Sequence, residues 1–184
     1  MEMRVLLITT GGTIDKVYGT GSGVRDLHIG RPVAPDILRR MKFYQFDHVE
    51  VCRKDSLDMN DIDRSMIARV CQNADTSCII ITHGTDTMIE TARAINDLLG
   101  SAVSHRILRI VLAGAAQPAC VLGSDAEFNL GLALATCLDG HVGIRIAMNG
   151  VHEWHACRKN PKTGVFEEFL EPPTTAEIDA ICET

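Results

Sequence analysis

The chain of 184 residues is 46% hydrophobic and 23% charged, the balance of a soluble globular domain and too apolar for a disordered one. At this length one core can bury most of the apolar surface, so a single domain without disulfide staples is expected. With 24 acidic against 18 basic residues, a net charge of -6 and no lysine- or arginine-rich run, nucleic acid is a poor partner, and no apolar run reaches the ~20 residues that cross a bilayer.

In chain order, short β-branched runs alternate with amphipathic ones. Residues 5–9 form the first expected strand. The stretch 11–30 is rich in glycine and poor in apolar residues, the composition of a mobile loop. A helix is expected over 36–43, a strand over 49–52, and a helix over 61–73 that Asn60 or Asp61 can cap. Strand 77–82 leads into helix 86–99, with Gly100 where a helix end favours glycine. Strand 107–113, helix 126–138 and strand 142–148 complete the alternation. Such alternation predicts a doubly wound α/β fold, a single mainly parallel sheet with flanking helices. The C-terminal part differs. Within 150–170 a Pro161-Lys162-Thr163-Gly164 turn separates two extended-looking segments, the pattern of a β-hairpin. Pro172-Pro173-Thr174-Thr175 then introduces a short helix over 176–182, with Thr175 as its cap.

The seven cysteines, Cys52, Cys71, Cys78, Cys120, Cys137, Cys157 and Cys182, form an odd set with no Cys-x-x-Cys pair. Several lie inside apolar runs, so they read as reduced, mostly buried thiols of a cytoplasmic protein. The opening Met1-Glu2-Met3-Arg4-Val5-Leu6-Leu7-Ile8 is too short, and too soon followed by glycines, to act as a signal peptide.

Ligands of doubly wound sheets bind beyond the carboxyl ends of the strands, where strand order reverses. Two such ends are rich in hydroxyls. The first is Thr9-Thr10-Gly11-Gly12-Thr13-Ile14-Asp15. Its glycines permit a sharp turn and leave N–H groups able to face an anion or a developing oxyanion, and Thr13 presents a hydroxyl there. A plain glycine turn accounts for this motif taken alone. No Gly-Lys-Ser/Thr follows to make it a phosphate loop, and the dinucleotide fingerprint is absent. The second is Thr82-His83-Gly84-Thr85-Asp86-Thr87. A helix cap explains Asp86, but not the flanking Thr85 and Thr87 or the preceding His83-Gly84. Two such ends on one sheet point to a shared site. His152-Glu153-Trp154-His155 lacks the spacing that puts two imidazoles on one helical face; it reads as part of the hairpin, and no metal site is expected. Asp125 and Asn129 read as residues that order a loop and start a helix.

The segments Thr10-Gly11-Gly12-Thr13-Ile14 and His83-Gly84-Thr85-Asp86-Thr87 together resemble the two signatures of the bacterial-type L-asparaginase family, intact and in order. Asp55-Ser56-Leu57-Asp58-Met59-Asn60-Asp61, Gly114-Ala115-Ala116-Gln117-Pro118, Ser124-Asp125-Ala126-Glu127-Phe128-Asn129 and residues 142–149 are similar to further stretches of that family. The resemblance therefore runs from residue 4 to about residue 160.

The resemblance implies hydrolysis of L-asparagine to L-aspartate and ammonia, without a metal or organic cofactor. It makes Thr13 the nucleophile that forms an acyl-enzyme. Thr85 and Asp86 match a second set completed by a lysine, and aligning Met148-Asn149 with the family's Met-Asn puts that lysine at Lys159. Asp86 would also hold the substrate's α-ammonium and Ser56 its α-carboxylate, with Gly12, Asp58 and Gly84 joining the substrate-binding set. Tyr18, the only tyrosine of the stretch 11–30, matches the family's flexible-loop tyrosine. Read without the resemblance, Lys159 is an ordinary solvated lysine near a turn, Tyr18 a surface residue, and Ser56 or Asp58 a turn or helix cap.

A threonine hydroxyl is a poor nucleophile until a neighbour takes or shares its proton. Lys159 can do so only with a lowered pKa, which burial would favour and Asp86 would oppose; Tyr18 is the rival activator once the loop closes. Two further functions stay open: an amidohydrolase acting on glutamine or a larger asparagine derivative, and a non-catalytic amino-acid-binding or regulatory module. The resemblance is to a short branch, with 1–184 as one domain of the N-terminal asparaginase type. The second domain of long members, which supplies an acidic residue to a neighbouring subunit's site, is not expected. Leu57 departs from the polar residue those members commonly place there. The expected partners are a small-molecule amino-acid substrate and a second copy of the chain, since two-fold dimers are the commonest soluble assembly.

Overall fold

Aliphatic residues that alternate between two buried faces decide the centre of the fold. The computed structural model describes residues 4–19 and 27–169. Val5–Gly11 (β1) is followed by Lys16–Tyr18 (β2), Leu27–Ile29 (β3), Ala34–Arg40 (α1), Phe46–Lys54 (β4), Asp61–Gln72 (α2), Cys78–Thr82 (β5), Met88–Leu99 (α3) and Ala102–His105 (α4). Arg109–Ala113 (β6), Ala126–Leu138 (α5), Gly143–Ala147 (β7), Val151–Glu153 (β8), Cys157–Lys159 (β9) and Phe166–Glu168 (β10) complete the described chain.

The main sheet has six strands in the order β4-β1-β5-β6-β7-β8. Every pair is parallel except β7 with β8 at the edge. Leu6 and Ile8 of β1, with Ile79, Ile81, Ile110 and Leu112, pack under α2 and α3, and Val5 and Leu7, with Ile80 and Val111, pack under α1 and α5. The period-two alternation of each strand thus feeds two separate cores. From β1 the chain first moves outward to β4 and then crosses back to β5 on the other side of β1. Strand order reverses between β1 and β5, and the two hydroxyl-rich segments follow these two strands.

The doubly wound expectation holds, with local differences. The helix expected over 36–43 starts at Ala34 and ends at Arg40, because Pro35 suits a first helical turn, where its missing N–H costs nothing. The strand expected over 49–52 extends to Phe46–Lys54; it is the sheet edge and largely exposed, so hydrophobic alternation underreports it. Strand 107–113 begins only at Arg109, since Ile107 is exposed and takes a positive φ of 55°. The short α4 was not foreseen. Asn60 caps α2, accepting from the N–H groups of Ile62 and Asp63 at 3.0 and 3.2 Å.

The stretch expected as a loop over 11–30 has ordered stems: β2 and β3 pair antiparallel, Lys16 opposite Ile29 and Tyr18 opposite Leu27. The C-terminal hairpin is formed by β9 and β10, antiparallel across the Pro161–Gly164 turn. His152 and Glu153 do not belong to that hairpin. They lie in β8, where backbone pairing with β7 and the Arg145–Glu153 ion pair at 2.7 Å hold them to the main sheet. The helix expected over 176–182 and its cap Thr175 lie outside the described residues. No described helix is long and apolar enough to cross a membrane.

Candidate active site

Three turns, two of them with a glycine at the contact, meet at the reversal of strand order. Gly12 takes φ +84°, a conformation that L side chains rarely adopt, and a Cβ placed on it would lie 2.4 Å from the nitrogen of Gly84. A Cβ on Gly84 would in turn lie 2.6 Å from Ser56 Oγ. Only glycine at both positions lets these backbones touch, and the contact brings the segment of Thr13 against the segment of Thr85. Thr13 opens a short 3-10 turn, Thr13–Asp15, and is half-buried. Among the described residues its hydroxyl has no hydrogen-bond partner, and the main-chain N–H groups of Thr13 and Thr85 are likewise undonated.

Lys159 arrives from the hairpin. Cys157 is buried in the core beneath α3, and strand periodicity turns Lys159 to the same side while Arg158 faces outward onto Glu167 at 2.9 Å. Lys159 Nζ donates to Thr85 Oγ1 at 2.9 Å and to Asp86 Oδ1 at 2.5 Å. Asp86 is therefore not the helix cap that its position suggests: α3 begins at Met88 with Thr87 as its cap residue. The Thr87 hydroxyl donates to the Ser56 carbonyl at 2.8 Å, tying the start of α3 to the Ser56 turn. Ser56 itself is 1% exposed, and its Oγ is buried without a hydrogen-bond partner. Asp58 is exposed at the far side of that turn, and Tyr18 is 58% exposed on β2, neither bonded to any of these groups.

Buried polar groups hold the turns in place. His83 is fully buried, and burial pushes its pKa down to about 4, so the ring is neutral. The Gly84 carbonyl can only accept, so His83 Nδ1 carries the proton, at 2.7 Å, and Nε2 accepts from the Thr91 hydroxyl at 2.8 Å. Asp15 Oδ1 accepts from the Val33 N–H at 2.9 Å, while Oδ2 is buried without a partner, and burial raises the carboxyl to about 6. Lys16 pairs with Asp55 at 2.8 Å, joining the base of the β2–β3 ribbon to the Ser56 turn. Asp125 receives the N–H groups of Ala116 and Gln117 at 2.9 and 3.0 Å, and Asn129 accepts from the Asn149 N–H at 2.9 Å. These two residues order the loops after β6 and β7, as expected of them.

An open groove of about 1260 Å³ starts at Thr85, Asp86 and Lys159 and runs between α3, the first turn of α2 and the hairpin tip. Its walls carry both signs of charge, among them Arg64, Glu90, Arg93 and Asp97. Thr13 and Ser56 lie outside its lining.

Over residues 4–175 the sequence matches the family described as asparaginase, N-terminal. The chain belongs to the asparaginase family. It is 30% identical over 152 residues to an L-asparaginase of Thermococcus kodakarensis, covering 79% of this chain and 44% of that protein. It is 27% identical over 161 residues to a glutaminase-asparaginase of Pseudomonas aeruginosa, with 79% and 42% covered. The solved structure of the thermostable L-asparaginase from Thermococcus kodakarensis superposes with a TM-score of 0.71 at 25% identity, covering 92% of this chain and 52% of that one. The chain thus spans less than half the length of the curated relatives it matches. Within this asparaginase fold, Thr85, Asp86 and Lys159 are joined by hydrogen bonds, and Gly12, Gly84 and Ser56 are stacked beside them. The sequence carried no sign of the support from Asp15 and the Lys16–Asp55 pair. The support from His83 was signalled only by a histidine left unexplained before Gly84.

Proposed function

We propose that this chain carries an amidohydrolase site for L-asparagine. The observation that bears most on this reading is Lys159 Nζ held between Thr85 Oγ1 at 2.9 Å and Asp86 Oδ1 at 2.5 Å, beside the turn of Thr13. In this reading Thr13 Oγ attacks the side-chain amide carbon, the proton of its hydroxyl passes to the amide nitrogen, and the carbon–nitrogen bond breaks as ammonia leaves. Water then cleaves the resulting ester to give L-aspartate and free Thr13. Asp86 orients Lys159, Lys159 orients Thr85, and that hydroxyl keeps its own proton for transfer within the site. The N–H groups of Thr13 and Thr85 face the oxyanion. Ser56 Oγ, buried and unpartnered, is suited to a substrate carboxylate, and closure of the β2–β3 ribbon would bring Tyr18 toward Thr13. No step needs a metal or organic cofactor, and the thiol-rich composition suits the cytoplasm.

Relatives named glutaminase-asparaginase support glutamine as the second amide to assay. Ammonia release from asparagine and glutamine is measured for the wild type, Thr13→Ala and Lys159→Met. Turnover that either substitution lowers by at least about a thousandfold, with the fold intact by circular dichroism, supports the assignment. Binding of asparagine by calorimetry without turnover would establish a binding module instead.

A further inference from the structure

Two thiols that the candidate site does not use meet between β5 and α5. The alternation along β5 turns Cys78 and Ile80 toward the core under α5. Cys137 follows the buried Leu130, Ala133 and Leu134 on the face of α5 that packs against the sheet. Cys78 Sγ lies 3.5 Å from the Cys137 carbonyl oxygen. Cys137 Sγ lies 3.3 Å from the carbonyl oxygen of Arg109, the residue opposite Cys78 in the sheet register, and 3.8 Å from that of Ile79. The two side chains are within hydrogen-bond reach of each other. Both are reduced and buried.

Their surroundings set them apart from the other buried thiols. Burial pushes Cys52 up to about 11, and Cys71 and Cys157 up to about 12. At Cys78 the Cys137 thiol, the Arg109 guanidinium and the Ser77 hydroxyl outweigh burial and hold the thiol below its ordinary range. The same contact keeps the proton on Cys137. Thiolate is the form that attacks a peroxide, and a neighbouring thiol is what converts the product into a disulfide. A small oxidant also has a route inward. Ser77 and Arg109, the neighbours of Cys78 in sequence and in register, line an open groove of about 840 Å³ at the amino ends of the strands. α5 ends at Leu138, one residue after Cys137, and helix ends open locally far more often than the whole protein unfolds.

We propose that Cys78 and Cys137 are a redox pair, which a peroxide oxidises to a reversible disulfide tying the end of α5 to the start of β5. The Cys78 thiolate attacks one peroxide oxygen, the oxygen–oxygen bond breaks, and hydroxide leaves to take up the proton that Cys78 had released. Cys137 sulfur then attacks the sulfur of the Cys78 sulfenic acid. The sulfur–oxygen bond breaks, and the Cys137 proton leaves with the hydroxyl as water. The two sulfurs together lose two electrons, and the peroxide becomes two waters. In a reducing compartment such a link is transient. Thr85 and Asp86 lie beyond the opposite end of β5, so the proposal stands apart from the asparaginase reading.

The test treats the full chain with hydrogen peroxide near neutral pH, alkylates the remaining thiols in denaturant, and maps the peptides without reduction. One linked peptide joining Cys78 to Cys137 is expected, lost again on treatment with dithiothreitol. Cys78 should leave the alkylated pool at least about tenfold faster than Cys71 or Cys157. In Cys137→Ala, oxidation of Cys78 should stop at the sulfenic acid, which dimedone traps. Cys78 and Cys137 that both still alkylate after the exposed Cys120 has been oxidised overturn the proposal. So does a wild type in which Cys78 is oxidised without a link, or is linked to another cysteine. The wild-type map decides by itself if Cys137→Ala folds poorly.

Discussion

Asp15 sits two residues after Thr13 with one carboxylate oxygen bonded to the Val33 N–H and the other buried without a partner. Burial raises its pKa from 3.8 to about 6, with Glu50 adding to the rise and the Val33 N–H and Arg53 opposing it. The folded state therefore keeps a proton on Asp15 that the unfolded chain has released. Stability falls as pH rises through that window, because the native state is the one that binds the extra proton. A shift of this size corresponds to about 3 kcal/mol. Asp15→Asn keeps an acceptor for Val33 and removes the titration. Denaturant unfolding near pH 3.5 and near pH 7.5 should show the variant gaining on the wild type by up to about 3 kcal/mol at the higher pH. The difference between the two proteins cancels the opposite trend of Asp36, Asp55 and Asp63, whose carboxyls their basic partners hold low. A pH-independent difference would mean that Asp15 titrates alike in the folded and unfolded chain.

The turns after β1, β4 and β5 act as one body because Gly84 separates Gly12 from Ser56 with no room to spare. Gly84→Ala would set a methyl 2.6 Å from Ser56 Oγ and 2.7 Å from its Cβ. One of the turns must move, and the Thr87–Ser56 and Lys159–Thr85 bonds give that displacement direct routes to the chemistry. The sheet and both cores lie behind these turns and need not follow. Ammonia release from asparagine should fall by about a hundredfold or more, the cost of misplacing reacting groups by about an ångström, while the melting temperature drops by only a few degrees. Near-normal turnover in this variant would show that the contact between the turns carries no positioning role.

Trp154 is the chain's single tryptophan. It packs against the core beneath α3, the same core that buries Cys157 and Phe166 of the hairpin that delivers Lys159. The hairpin therefore shares its core with the main sheet and has none of its own. Unfolding in denaturant should give one transition, with tryptophan fluorescence and far-ultraviolet circular dichroism coincident. A fluorescence change at lower denaturant would reveal the hairpin as a separately melting unit, and activity would then be lost with fluorescence, because Lys159 leaves with it. The same dependence joins function to the whole molecule: the groove needs α2, α3 and the hairpin in place at once.

The alternation of strands and helices, the Asn60 cap, the Pro161–Gly164 turn and both hydroxyl-rich strand ends were legible because each rests on local chemistry within one element: periodicity, capping, turn residues and glycine. Lys159 was legible only through resemblance, since 73 residues separate it from Asp86 and nothing local marks a lysine near a turn for a site. What tertiary structure alone decided was pairing across distance. It gave β4 its length from an exposed edge, ordered the stems of the glycine-rich stretch as a ribbon, and took His152 and Glu153 from the hairpin into the main sheet. It also placed Asp86 ahead of α3, whose cap residue is Thr87, and so set aside the helix-cap reading. Hydrogen bonds and desolvation between residues far apart in the chain depend on where the strands cross, and composition and spacing carry no record of that crossing.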